Sequence, residues 1–383
     1  MPASELADPR AWPSTAAAGG ARVLHQAAAS AMAAPTAREA DACDERARTV
    51  LAAAIARGDG AALAQWLAAA PSAAVARHLR RLLSDVERNG VGSRDLHTTL
   101  FALPLIVVAA ITEGERSVVL DGVLARAPAL AQILRDARAL GGCETFALAN
   151  VVVGADAVDL PALPALLAHA RLPETTAGFA SVLDLPPAPM QVSGTNERVF
   201  LRLVVGAVLT PPGIDPFADT RIGQWGIALS RSLAEAWRAP RVSLLALPRP
   251  PQRLVQAVQT GRAAQREVSA QIFASNAIRT LRASYGEPNA IVSAHRYAEA
   301  EGGGELRVSL SSPFAPKAAE GFRCPVYAYE SVQEVGAMLE TLLLDCRVTN
   351  VCFVPGVQAD VDPVTDGPLF FKEAGASVPS GLQ

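Results

Sequence analysis

Residues 199–247 constrain the fold more than any other part of the chain. An apolar run at Leu201–Leu209 is followed by a loop rich in Pro, Gly and Asp, an amphipathic pattern over Gln224–Arg238, and a second apolar run at Val242–Leu247. A continuous apolar run indicates a strand that is covered on both faces, whereas apolar residues three and four positions apart indicate a helix that buries one side. The segment therefore predicts a strand, a helix and a strand in succession.

The same order recurs upstream and, more weakly, downstream. Upstream, an apolar run at Leu100–Ala110 precedes a helical pattern and a second run at Phe146–Val153; downstream, the runs are Leu306–Leu310 and 348–354, on either side of a helical pattern. Because a helix that joins two strands packs on a sheet face, we predict an α/β or α+β protein, a layered sheet built from repeated β-α-β units behind a small helical N-terminal region. Chance likeness between apolar segments is the alternative to a true duplication.

Composition shifts and Gly or Pro clusters divide the chain into six expected parts. They are a flexible N-terminal arm (1–35), a helical region (36–90), a first β-α-β-α unit (91–185), a second unit with a long helix (195–285), a C-terminal α/β unit (286–372) and a flexible tail (373–383).

Four positions give sharper expectations. Pro104 cannot donate to a β ladder, so we expect an edge strand or a bulge there. Gly261 predicts a break in the long helix over 250–284, because glycine weakens helix interiors. Trp225 and Trp237, at the two ends of the central helix, are predicted to anchor the core. We also expect a hairpin around the glycines at 302–304.

The charge balance and the cysteines limit the class of protein. The chain has 383 residues, 50% of them hydrophobic and 19% charged, which is typical of a folded protein. Lys317 and Lys372 are its only lysines, a bias that we interpret as a GC-rich bacterial genome. A net charge of −3 gives no reason to expect nucleic acid as a partner. Five scattered cysteines without a CxxC pair favour a reducing compartment and no bound metal or other cofactor.

The N-terminus and the longest apolar run bear on localisation. Residues 1–13 contain acids and prolines where an export signal has a basic region and an apolar core, although an unusual export signal stays an alternative. The longest apolar run, Leu100–Ile111, contains a proline and is far shorter than the roughly 20 residues that a membrane span needs. We predict a cytoplasmic protein with no membrane span.

Cys143 is the first weak catalytic candidate. It follows two glycines at the start of a predicted strand, where backbone N–H groups could stabilise a thiolate, and Glu144 is its neighbour. A nucleophilic cysteine also needs a base, for which His97 or His169 is available. The competing interpretation is a small apolar residue that fills space at a strand start, and we favour it.

His295 is the second weak catalytic candidate. Arg296, Tyr297, Glu299 and Glu301 follow it and form the densest polar group near a strand end. Such a group could serve acid–base chemistry or bind an anion. We favour instead an exposed hairpin arm whose long side chains are solvated.

Three other polar patterns are better explained by structure than by ligands. Acidic residues in the tail lack the spacing of a calcium loop, because Pro363 follows the second of them, and they indicate turns. One arginine group forms the polar face of a predicted helix and could meet an acidic partner or nucleic acid, but a solvated helix face is expected. A second group lies along the long helix and could meet phosphates, but Glu267 intervenes and no aromatic side chains alternate with it as a stacking surface requires. These patterns comprise Asp360, Asp362 and Asp366; Arg77, Arg80, Arg81 and Arg88; and Arg253, Arg262, Arg266, Arg279 and Arg282.

Two classes of function are compatible with this sequence. The chain lacks a phosphate-binding P-loop, HExxH, GxSxG and a GxGxxG after a strand. We therefore favour a non-catalytic bacterial binding or assembly protein that acts through protein–protein contacts, with a protein partner or self-association. The alternative is an enzyme with an unrecognised site, for which a cysteine-dependent hydrolase or transferase that uses Cys143 with a nearby histidine is the example.

Overall fold

A computed structural model defines the fold over most of the chain. It describes residues 15–88, 92–93, 96–113, 117–124, 127–143, 145–169, 185–211, 213–218, 222–286, 289–296, 304–312, 315–348, 350–354, 369–373 and 376–379.

Four helices form the N-terminal region: α1 (Thr15–Ala33), α2 (Ala37–Ala56), α3 (Gly60–Ala68) and α4 (Ala73–Arg88). The prediction of a flexible arm over 1–35 is wrong for residues 15–33, because α1 packs on α2 and buries Leu24 and Ala28 completely. His25 Nε2 also donates to the carbonyl oxygen of Trp66 at 2.7 Å. This segment has no stripe of large apolar side chains, which argued against a packed helix. Its small alanine side chains nevertheless allow the two helices to come into close contact. Residues 1–14 lie outside the described part.

The next elements build one antiparallel sheet, the large sheet. It contains β1, β2, β4, β6 and β7, and its order runs β4–β6–β2–β7, with β1 beside the start of β2. Along the chain, three helices and the strands β3 and β5 are interspersed with these strands, and β3 and β5 pair as a short two-stranded ribbon. The bounds are β1 (Gly92–Ser93), β2 (Leu96–Ile111), β3 (Val118–Leu120), α5 (Ala127–Asp136), β4 (Phe146–Val153), α6 (Leu163–His169), β5 (Met190–Val192), β6 (Arg198–Thr210), α7 (Gln224–Ala236) and β7 (Val242–Pro248).

The predicted mixture of helix and sheet is confirmed, but repeated β-α-β units are not. Helix α5 lies between β2 and β4 in the chain, and α7 lies between β6 and β7, yet each pair of strands is separated in the sheet by a strand of the other pair. Every paired neighbour in the large sheet is antiparallel. The apolar runs indicated strands that are buried on both faces. Such burial does not depend on strand direction, so the runs did not distinguish parallel from antiparallel pairing.

Both faces of the large sheet are covered. Helices α5 and α7 bury one face around Phe101 and Phe146, and Trp237 joins this core with 4% of its surface exposed. Trp225 packs against the same core, so both tryptophans contact it as predicted. Helices α1–α4 and the long helix that follows β7 cover the other face.

Pro104 lies in the interior of the large sheet, so the predicted edge position is wrong, whereas the predicted alternative, a bulge, is supported. Between the pairs Leu105–Pro248 and Ala102–Gln252, three steps along β2 face four steps along the other segment. Strand β2 pairs with β6 on one side and, from Leu105 onward, with β7 on the other. The N–H of Arg249 donates to the carbonyl oxygen of Pro104 at 2.8 Å. The N–H group that proline lacks would therefore lie beside Arg249, beyond the end of β7 at Pro248. No hydrogen bond between β2 and β7 is lost.

Helix α8 (Leu254–Tyr285) is the longest element and is continuous through Gly261, so the predicted break is also wrong. A Cβ built on Gly261 would lie 2.7 Å from a methyl carbon of Leu201 and 3.3 Å from Cβ of Pro104. Glycine at this position permits a close approach of the helix to β2 and β6, and the tertiary contact outweighs its weak helix propensity.

The two halves of α8 bury opposite sides. Leu254 and Val258 pack on the large sheet, whereas Ala274 and Ile278 belong to the core of a second sheet. Twenty positions correspond to about 200° of rotation around a helix axis. One rigid helix thus carries both sheets, one on each side.

The second sheet, the small sheet, has the order β10–β9–β8–β11, and only the β8–β11 pair is parallel. Its β8–β9 hairpin confirms the one expected around residues 302–304, and α9 packs on it beside α8. A two-stranded C-terminal hairpin follows, so the predicted flexible tail is wrong for residues 376–379, while residues 380–383 lie outside the described part. The bounds are β8 (Asn289–Arg296), β9 (Gly304–Ser312), β10 (Ala315–Val326), α9 (Val332–Asp345), β11 (Val351–Val354), β12 (Leu369–Glu373) and β13 (Ala376–Pro379).

In the part of the chain that the structure describes, no helix combines the length and the apolar character needed to cross a membrane.

Candidate binding cleft

A cleft of about 710 Å³ separates the C-terminal half of α8 from the end of the large sheet; we call it the α8 cleft. Six of its thirteen lining residues carry a hydroxyl or an amide group, and one arginine, one glutamate and one exposed phenylalanine lie among them. Its polar and aromatic lining consists of Thr112, Thr195, Asn196, Glu197, Ser243, Phe273, Asn276, Arg279 and Thr280, and Ala110, Ile111, Ala277 and Gly321 complete the wall.

Backbone hydrogen bonds hold the sheet side of the α8 cleft together. The N–H of Ile111, at the end of β2, donates to the carbonyl oxygen of Gly194 at 3.2 Å, and the N–H of Thr112 donates to that of Arg241 at 2.8 Å. Gly194 has a φ of +75°, a left-handed conformation that favours glycine. These contacts bring the turn at 195–197 and the start of β7 to the end of β2.

Side-chain contacts order the helix side. The Phe273 ring stacks on Phe322 with 6.2 Å between ring centroids, yet 45% of Phe273 remains exposed. Arg279 Nη2 donates to Asn276 Oδ1 at 2.8 Å, and the Thr280 hydroxyl donates to the Asn276 carbonyl oxygen at 3.0 Å. The wall presents an aromatic surface beside hydrogen-bonding groups that are oriented by their neighbours.

A polar junction elsewhere along α8 joins both sheets to this helix. Arg266 donates to the carboxylate of Glu330, and Arg262 Nη2 donates to Asp159 Oδ2 at 2.8 Å. The rings of Tyr327 and Tyr329 stack with 5.7 Å between their centroids. Burial raises the pKa of the Tyr329 hydroxyl, so the hydroxyl remains protonated at neutral pH. The junction links the β10–α9 loop and the segment after β4 to α8.

The arginines of α4 contribute to the same junction and do not form a wholly solvated face. Arg77 Nη2 donates to Glu334 Oε2 at 2.6 Å, and the guanidinium of Arg80 lies 4.6 Å from the ring centroid of Tyr329. Arg81 pairs with Asp44 at 3.5 Å. The side chain of Arg88 lies outside the described part.

The structure does not bring Cys143 together with a histidine that it describes. The backbone N–H of Cys143 donates to the Leu140 carbonyl oxygen at 2.9 Å, and its side chain packs against the core. Burial raises the pKa of the thiol, the direction opposite to the one a nucleophile needs. Strand β6 separates His97 on β2 from the strand that follows Cys143. Glu144 and the side chain of His169 are not described.

His295 lies on β8 directly opposite Glu305 of β9. Glu305 is buried and accepts a hydrogen bond from Arg307 Nε, an ion pair that the sequence analysis missed. The only sequence signal for this ion pair was the alternation of charged and apolar residues along the strand. The rest of the predicted cluster (Tyr297, Glu299 and Glu301) and the tail acids (Asp360, Asp362 and Asp366) lie outside the described residues.

The arginines of the long helix divide into two groups. Arg253, Arg262 and Arg266 each lie within 4 Å of a carboxylate. Arg279 and Arg282, nearer the C-terminus of α8, donate to an amide oxygen and to backbone carbonyl oxygens, and Arg282 has a further partner. The sequence alone did not separate these groups, since the acidic partners come from distant segments.

Comparison of the chain with protein-family models, with curated proteins and with solved structures finds no match. In the described residues, no group of three or more His, Cys, Asp or Glu side chains is arranged to hold a metal ion.

Proposed function

We propose that this chain is a non-catalytic binding or assembly protein of bacterial origin that works in the cytoplasm and holds a segment of a partner polypeptide in the α8 cleft. The lining of the cleft carries the proposal. Its hydroxyl and amide side chains are neutral donors and acceptors that match the N–H and C=O groups of a peptide backbone. Exposed Phe273 offers the apolar contact that such a segment would cover.

The size and position of the cleft agree with a binding role. Ligand pockets commonly enclose roughly 300–1,000 Å³ and often lie where two structural units meet. The α8 cleft, at about 710 Å³, lies between the large sheet and the small-sheet part of α8. Both walls are held by hydrogen bonds within the chain, so little ordering is needed when a partner binds.

The enzyme alternative has less support. The described lining of the α8 cleft includes neither Cys143 nor His295. Cys143 is half-buried against apolar side chains with a raised thiol pKa, whereas catalytic cysteines have a lowered one. A cysteine-dependent hydrolase or transferase therefore remains the second hypothesis.

Site-specific photo-crosslinking tests the proposal. A photoreactive phenylalanine replaces Thr195 or Thr280 in the cleft, or Arg46 on α2 as an exposed control, in the full chain expressed in its host. We expect one cross-linked polypeptide from both cleft positions and not from Arg46, with the linked peptide mapped by mass spectrometry. Cross-links that are equal at all three positions, or absent from the cleft, would refute the proposal.

A blocking variant adds a second criterion. Ser243→Trp fills the cleft, and Ser30→Trp adds the same side chain at an exposed position of α1. We expect the first to abolish the cross-link from Thr195 and the second to preserve it, with equal circular dichroism spectra. If a small molecule copurifies with the protein and blocks the cross-link, the cleft has a non-protein ligand and the polypeptide proposal fails.

A further inference from the structure

A second pocket, of about 480 Å³, lies farther along α8, where the helix meets the end of α9; we call it the arginine pocket. Three guanidinium groups line it, from Arg279 and Arg282 on α8 and from Arg347 just after α9. Ser275, Ile278, Asp345 and Cys346 complete the lining. Among the lining residues that the structure describes, three guanidinium groups stand beside a single carboxylate, so their formal charges sum to +2.

The ion pairing of Arg279 and Arg347 differs from that of the α8 arginines Arg253, Arg262 and Arg266. Arg279 and Arg347 form no ion pair with any residue that the structure describes, and Asp345 is not within 4 Å of either guanidinium. Arg282 Nη2 donates to the carbonyl oxygens of Cys346 and Arg347, both at 3.2 Å. These bonds offset the negative end of the α9 dipole, which would otherwise repel an anion.

Arg347 adopts a backbone conformation that favours glycine. Its φ is +64°, and it follows the last turn of α9 at the position where a glycine commonly ends a helix. The N–H of Val348 donates to the Leu343 carbonyl oxygen at 3.0 Å, which closes this turn. Glycine would suit this turn at least as well as arginine, so the charge of Arg347 can be removed by glycine without straining the backbone.

We infer that the arginine pocket binds a phosphate-type oxyanion. Guanidinium groups offer paired N–H donors that match phosphate oxygens, and they keep their charge at any physiological pH. A doubly charged phosphate balances the net charge of +2 and relieves the repulsion among the three arginines. The inference does not depend on what occupies the α8 cleft, although Arg279 lines both.

Calorimetric titration of the purified full chain with inorganic phosphate, at constant ionic strength set with sodium chloride, tests the inference. We expect saturable binding at one site, a loss of affinity of at least tenfold in Arg347→Gly, and a similar loss in Arg279→Gln. The glycine variant removes the charge and relaxes the backbone, so its Tm should equal or exceed that of the unchanged protein.

A matched control comes from a second arginine in the same conformation. Arg138 has a φ of +50° in the turn after α5 and is exposed, so Arg138→Gly makes the same change far from the arginine pocket. We expect it to bind phosphate like the unchanged protein. Phosphate that fails to bind, or that binds Arg347→Gly and Arg138→Gly equally well, overturns the inference and leaves the cross-linking test of the α8 cleft unaffected.

The titration also distinguishes the source of the phosphate group. O-phosphoserine should bind more tightly than inorganic phosphate if the natural ligand carries the group on a larger molecule, and no more tightly if the ligand is the free ion. Both results support the pocket, provided that Arg347→Gly weakens each of them.

Discussion

The carboxylate of Glu87 on α4 accepts the backbone N–H of Leu254 at the first turn of α8, with 3.1 Å between oxygen and nitrogen. Its second oxygen accepts the N–H of Val255 at 3.3 Å, and only 1% of Glu87 is exposed. Two of the N–H groups that a helix leaves without partners at its start are thereby satisfied by a distant side chain. Burial raises the pKa of Glu87 from its ordinary 4.5 to about 8, although these N–H groups and Arg253 act in the opposite direction.

This relationship predicts a stability that falls as pH rises. Between about pH 4.5 and 8 the unfolded chain releases the Glu87 proton while the folded chain retains it, so the free energy of unfolding decreases with pH. Below pH 4.5 the carboxyl is protonated in both states, and the full contribution is present. The expected slope approaches about 1.4 kcal/mol per pH unit at its steepest.

Urea unfolding from pH 4.5 to 8.5 measures that slope, with Glu87→Gln as the comparison. The glutamine keeps the shape of the protonated acid but does not titrate, so the difference between the two stability curves isolates this one group. Two parallel curves would show that Glu87 is ionised in the folded protein throughout this range.

Two ion pairs should differ sharply in their contribution to stability. The Arg266 and Glu330 side chains are 8% and 13% exposed, whereas those of Arg77 and Glu334 are 53% and 57% exposed. Glu330→Ala leaves a buried guanidinium without its carboxylate and should lower the free energy of unfolding by about 3–5 kcal/mol. Arg77→Ala breaks a solvated pair and should cost less than about 1 kcal/mol. Chemical denaturation at pH 7 compares them, and equal losses would contradict the assignment of Glu330 as the junction's buried anchor.

Gly206 should tolerate no side chain, because its neighbours leave no space. A Cβ at this position would lie 2.6 Å from the backbone carbonyl oxygen of Ala147 and 2.5 Å from the ring of Phe101. Gly206→Ala should therefore lower the free energy of unfolding by about 1–3 kcal/mol through overpacking. Gly19→Ala on α1, where nothing lies within 4 Å, should be neutral or stabilising by up to about 1 kcal/mol. Thermal unfolding of the two variants gives the sign of each change.

Thiol reactivity tests the enzyme alternative directly. Cys352 is exposed, whereas Cys143 is half-buried with a raised thiol pKa. We expect iodoacetamide at pH 7.5 to alkylate Cys352 several-fold faster than Cys143, as followed by peptide mass spectrometry. Faster alkylation of Cys143 would indicate an activated thiol and would restore the cysteine-dependent enzyme as the leading hypothesis.

Local burial was predictable from local sequence. The apolar run at Phe146–Val153 coincides with β4, and the runs at 201–209 and 242–247 lie within β6 and β7, because a strand covered on both faces must be apolar along its length. The prediction of a flexible N-terminal arm failed because alanine-rich helices bury little surface per residue and resemble unstructured segments in composition. Of the two candidate site residues, Cys143 is not part of the described lining of the α8 cleft, and the side chain of His295 lies outside the described part; that lining comes from the large sheet, the turn before β6, α8 and β10.

By itself, the sequence determined where the apolar strands of the large sheet lie and that they are buried on both faces. Tertiary structure decided the antiparallel order of the large sheet, the opposite burial of the two halves of α8, and the partners of its arginines. These features depend on contacts between segments far apart in the chain, such as Glu87 with Leu254. The period of an apolar pattern records that a side is buried, but it does not record which surface buries it.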